Sequence, residues 1–118
     1  MDYTEIKINI LGTEWNVLYH TIEENESFAS CDGYCDPSAK KIHFRKYTET
    51  EDFRGYENRE LLQKKTLRHE IIHAFMFESG LWRNTGDVET WAMNEEMVDW
   101  IAIQMPKMVK AMQDAGAM

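Results

Sequence analysis

The chain has 118 residues, 43% of them hydrophobic and 12% aromatic, enough for a single domain over residues 1–118 and too few for a second catalytic lobe. Acidic side chains number 21 against 13 basic ones, a formal charge of −8, which disfavours binding to a phosphate backbone and removes nucleic acid from the expected partners. No run approaches the ~18 apolar residues of a membrane span, and Met1-Asp2-Tyr3-Thr4-Glu5 has neither a basic leader nor an apolar export segment, so the expected location is the cytoplasm, off the membrane.

The first third reads as strands. Ile6, Ile8 and Ile10 alternate with polar residues, Leu11-Gly12-Thr13 turns the chain, and Trp15, Val17 and Tyr19 alternate again, which predicts a hairpin. His20 ends the second strand as a structural residue, and the polar stretch from Thr21 to Ser27 reads as a connection. Residues Phe28 to Cys35 and Lys40 to Arg45 then flank a turn at Asp36-Pro37-Ser38. A small antiparallel sheet of three or four strands is expected. Cys31 and Cys35 enclose Asp32-Gly33-Tyr34; a reducing compartment favours free thiols there, and no second cysteine pair exists to complete a four-thiolate site.

From Asn58 to Ser79 the pattern is helical. Leu61, Leu62, Ile72, Met76 and Phe77 supply apolar positions, and Ser79-Gly80 reads as the stop. Arg59, Lys64, Lys65 and Arg68 form the one basic concentration, read as a solvated face. The second half of this helix carries His69-Glu70-Ile71-Ile72-His73. Four residues advance a helix by about 400°, so the two imidazoles lie roughly 40° and one turn apart, close enough to share an ion. Glu70 lies about 100° round, placed to reach a metal-bound water without ligating. This is the arrangement of a zinc site with its own general base. A scrambled chain of this composition would contain the five-residue pattern only about 0.01 times.

A break over Leu81 to Gly86 precedes a second helix, expected from near Asp87 and carrying Val88, Trp91, Glu95, Val98 and Ala102. Pro106 either kinks it or opens a short terminal helix. Glu95 and Asp99, four apart, share one helical face; one can bind zinc while the other orients a histidine ligand. Glu96 replaces Glu95 as the ligand if the helix is rotated. Sheet first and helices after is an α+β layout.

His69-Glu70-x-x-His73 followed by Asn94-Glu95-x-x-x-Asp99 resembles the gluzincin metallopeptidases, the thermolysin-like group. That likeness implies Glu95 as third zinc ligand and Asp99 as the residue behind a histidine. Glu95 together with Ile103-Gln104-Met105-Pro106 is similar to the end of ImmA/IrrE-type peptidase domains, which implies the same ligand. Gly33-Tyr34 and Ile42-His43-Phe44 look like the sheet edge of minimal zincins. The chain departs from these patterns in carrying Glu96-Met97 where the ImmA/IrrE type has Ala-Asn, and in lacking a thermolysin-sized C-terminal lobe.

The implied activity is zinc-dependent peptide hydrolysis: His69, His73 and Glu95 hold the metal, and Glu70 is the general base. Tyr34, His43, Tyr47 and Tyr56 are candidate donors to the oxyanion. The expected partner is a protein or peptide substrate. The alternative is a zinc-binding but catalytically inactive module of the same fold that binds a protein partner.

Overall fold

The computed structural model, which describes residues 5–46, 57–82 and 94–118, begins with the expected hairpin. Strand β1 (Ile6–Ile10) pairs antiparallel with β2 (Thr13–His20), setting Ile8 opposite Trp15 and Ile6 opposite Val17. The turn needs a positive φ at both central residues, found at Leu11 (51°) and Gly12 (90°), the geometry that matches the twist of the flanking strands. The Asn9 side chain accepts from the Gly12 amide at 2.8 Å and ties the turn to its strand.

Beyond the hairpin the sheet departs from the antiparallel expectation. Strands β3 (Gly33–Asp36) and β4 (Lys41–Arg45) are antiparallel to each other, but β4 lies parallel to β2, giving the order β1-β2-β4-β3. Alternation carries no information on strand direction. What permits the parallel pair is the length of chain between its members, which is enough for a crossover. Phe28, expected in a strand, belongs instead to a 3₁₀ turn (Glu26–Ala29) capped by Asn25. The crossover leaves β3 on the sheet edge.

Helix α1 (Arg59–Glu78) starts where the Asn58 side chain accepts from the Leu61 amide and stops at Ser79. Its stripe toward the sheet is Leu67, Ile71, Ala74 and Phe77, packed on Ile10, Trp15, Val17 and Ile42. That is i, i+4, i+7 spacing, and it shares Phe77 alone with the apolar set read from the sequence; Leu61, in that set, is 59% exposed. Trp15 is fully buried with its Nε1 donating to Glu78 at 2.8 Å, which meets the requirement that a buried indole find an acceptor.

Helix α2 (Glu95–Asp114) is capped by Asn94 and runs antiparallel to α1, with Val98 and Ala102 buried. The expected start near Asp87, with Val88 and Trp91, lies outside the described residues. Pro106 lies inside the helix, so the separate terminal helix it could open is not formed. Proline at that position strips the Ala102 carbonyl of its helical donor, and Arg68 Nε supplies one at 2.6 Å. No helix among the described residues is long and apolar enough to cross a membrane.

Candidate metal centre

His69 and His73 face α2 from the middle of α1, and Glu95 meets them from the first turn of α2. His69 Nε2 lies 2.8 Å from Glu95 Oε2, His73 Nε2 lies 2.9 Å from Glu95 Oε1, and the two imidazole nitrogens are 3.2 Å apart. Glu95 sits at a helix N-terminus, where the macrodipole favours an anion. Glu96 is the next residue of that turn and is exposed; the convergence of ligand-type atoms involves His69, His73 and Glu95.

The donor chemistry fits a cation. Asp99 Oδ1 lies 3.1 Å from His69 Nδ1 and 2.9 Å from Lys65 Nζ. Burial pushes the Asp99 carboxyl up, but hydrogen bonds from Lys65 and His69 outweigh it and hold the group below the ordinary carboxylate range. An ionised carboxylate only accepts, so Nδ1 of His69 carries a hydrogen, and in the neutral form of the ring Nε2 holds the lone pair. That lone pair then faces a Glu95 oxygen at 2.8 Å, a repulsive contact unless a proton or metal ion lies between. Burial holds His73 below its ordinary value, against the pull of Glu95, which keeps it in the neutral form that binds metals. Donor atoms on a tetrahedral ion with bonds of about 2.0–2.2 Å stand roughly 3.3–3.6 Å apart, so the cluster would have to open by less than about 1 Å. His69, His73 and Glu95 could hold a metal ion.

Glu70 is on the other side of the helix ridge, buried at 6% exposure between α1 and the edge strand. Burial, with Glu95 adding to it and His69 opposing, raises its carboxyl to about 7. It shares an open cleft of about 270 Å³ with His69, His73, Glu95, Gly33 and Cys35. Cys35 donates from Sγ to the Glu70 carbonyl at 3.1 Å, and its thiol is pushed up by burial and by the Glu70 charge. Both cysteines are free, as expected.

Two features that bring the site together were not legible as functional. Gly33 is one: a Cβ there would meet Glu70 Cγ and the His43 carbonyl, both at 3.2 Å, so the missing side chain lets α1 approach β3. A glycine inside a strand pattern is the signal that points to such an approach. The second is Lys65, read only as solvated; nothing in the spacing alone tied it to Asp99.

Two of the candidate oxyanion donors lie within the described residues, and Tyr34 is among the residues that line the cleft. Tyr34 and His43 pair across β3 and β4, stack with ring centroids 4.7 Å apart, and alternate with Cys35 and Ile42, which pack toward α1. Their side chains therefore leave the opposite face of the sheet, where Tyr34 OH accepts from Asn25 Nδ2 at 2.9 Å. His20 stacks on His43 on that face, at 5.8 Å. Tyr47 and Tyr56 lie outside the described residues.

No protein-family model matches the chain, and no curated protein or solved structure is significantly similar to it. The functional reading therefore rests on the geometry and chemistry of the cluster.

Proposed function

We propose that this protein is a zinc-dependent metallopeptidase of minimal zincin type, acting on a protein or peptide in the cytoplasm. The observation that carries the reading is the meeting of three lone-pair donors, His69, His73 and Glu95, with a buried carboxylate, Glu70, in one cleft. Zinc bound there would supply a Lewis acid and a water of lowered pKa. Glu70, titrating near 7, is suited to take a proton on its carboxylate and return it to a leaving amine near neutral pH. Asp99 fixes the His69 ring through Nδ1, as outer carboxylates do for ligating histidines, and Lys65 holds Asp99 in turn. Strand β3 pairs only with β4 among the described strands; its outer edge borders the cleft, where an extended peptide could add by main-chain hydrogen bonds.

One observation favours a second reading. The cleft is smaller than the ~300–1,000 Å³ usual for enclosed ligand sites, as suits a zinc-binding module that holds a partner without cutting it. Glu70→Gln decides between the two. In a peptidase it keeps near-stoichiometric zinc while cleavage of a peptide library falls by ~10²–10⁴-fold, and His73→Ala loses the metal itself. Cleavage that chelation stops and zinc restores supports the peptidase. A zinc-loaded parent that binds its authentic partner at this cleft and leaves it intact makes the module the correct reading, and a purified protein that takes up no metal ends both.

A further inference from the structure

A second concave surface between α1 and α2 lies apart from the metal-ligating side chains and is lined by basic residues of both helices. Leu61 and Leu62 of α1 face Ile103 and Pro106 of α2 across a groove of about 570 Å³. Its floor is apolar and open to solvent, with Leu61 59% and Ile103 49% exposed. The other lining side chains are all cationic: Lys64, Lys65, Arg68 and Lys107. Lys65 is taken by Asp99, and among the described residues Lys64 makes a solvent-exposed pair with Glu60, worth little. On a chain of net charge −8, an apolar floor inside a cationic rim is a local reversal of the overall field.

We propose that this groove docks an acidic amphipathic helix of a partner protein, with leucine-like side chains on its inner ridge and carboxylates on its flanks. Charge complementarity sets the sign of the partner. Its conformation follows from the walls, which are two helices whose backbone groups are internally bonded. The Ala102 carbonyl that Pro106 releases is already taken by Arg68. An extended peptide would find no free main-chain partners, whereas a helix binds through side chains alone, with anchors at i, i+3 or i+4 and i+7. The wall from Leu61 to Arg68 spans two turns, roughly 11 Å, so two to three turns of the partner engage. An anionic bilayer is disfavoured because it would meet the acidic remainder of the surface as well as the rim.

The test uses the whole chain and two labelled synthetic helices of about 16 residues with the same leucine ridge, one flanked by glutamates and one by lysines. The glutamate helix should bind and shift the amide resonances of Leu61, Leu62 and Ile103. Ile103→Ser should weaken it, and the exposed pair Lys64→Glu with Lys107→Glu should weaken it by at least ~10-fold while the lysine helix gains. Equal binding of both helices, or resonance shifts confined to other surfaces, overturns the proposal. So does co-sedimentation with phosphatidylglycerol vesicles when neither helix binds, which would make the groove a membrane contact. A dimer of the chain that Ile103→Ser dissolves, again with no helix bound, would make it a self-association surface. None of these outcomes depends on metal or on peptide cleavage.

Discussion

The two faces of α1 are built on different physics. Toward the sheet it presents Leu67, Ile71, Ala74 and Phe77 to Trp15, Val17 and Ile42, a continuous apolar contact. Toward α2 the contact carries a row of polar pairs: His69 and His73 with Glu95, Lys65 with Asp99, and Arg68 with the Ala102 carbonyl. Of the nine buried apolar residues among those described, six belong to the strands and the 3₁₀ turn, one to α1 (Ala74) and two to α2 (Val98 and Ala102). The sheet and α1 meet through buried and half-buried apolar side chains, whereas the seat of α2 adds charged and polar pairs to its buried Val98 and Ala102 and would be tightened by a cation bound between Glu95 and the histidines. A site assembled across the more polar of two interfaces would couple its ligand to the docking of that element.

The comparison breaks first at the core. Trp15→Ala removes the largest fully buried side chain and its bond to Glu78, and should cost ~3–5 kcal/mol in chemical denaturation, unfolding sheet and α1 together. A loss under 1 kcal/mol would mean that the sheet face is not the principal store of stability.

Metal removal acts on the other interface. Zinc at about a hundred times its Kd should add ~2.7 kcal/mol, and a chelator should withdraw that gain as a lower Tm. Amide exchange should quicken over the first turns of α2 before it changes in the second half of α1. Equal acceleration in both helices would show that α2 does not depend on the ion more than α1 does.

Glu70 lies on the apolar side of that divide and titrates about 7 in the fold against an ordinary 4.5. Its neutral form is favoured by folding, so its contribution to stability is complete below pH 4.5 and lost as pH rises through 7. In metal-free protein Glu70→Gln should therefore change little at pH 4 and stabilise the fold by roughly 1–3 kcal/mol at pH 8. A substitution equally neutral at both pH values would show that the carboxylate is solvated.

The smallest effect is expected far from either interface. Leu11 holds a left-handed φ of 51° while 60% exposed, so Leu11→Asn trades strain for a residue that tolerates the turn. The gain should be about 0.5–1 kcal/mol by thermal or chemical denaturation. A loss would mean that the leucine packs on something in solution.

Wherever one local pattern set the outcome, the sequence was sufficient. The hairpin was legible because alternation on both sides of Leu11-Gly12 allows one pairing. Helix α1 was legible to its caps because Asn58 and Ser79 are local signals that act within a turn. The four-residue spacings of His69 to His73 and of Glu95 to Asp99 are likewise helix geometry, readable before any tertiary contact is known. What could not be read that way was which apolar residues of α1 face the sheet, since leucine and phenylalanine occur around much of the helix and the choice between registers is made by the partner surface.

Composition and spacing determined an α+β chain with one histidine motif and a carboxylate pair downstream of it. The tertiary structure alone decided that β4 inserts parallel beside β2, that β3 thereby becomes the edge against Glu70, and that Gly33 lets the helix come close enough to bury that carboxylate. It also decided that Lys65 meets Asp99 and that Arg68 completes the carbonyl freed by Pro106. These contacts join residues more than thirty positions apart. Their cause is the packing of whole elements, and a period of two or of 3.6 residues carries no record of it.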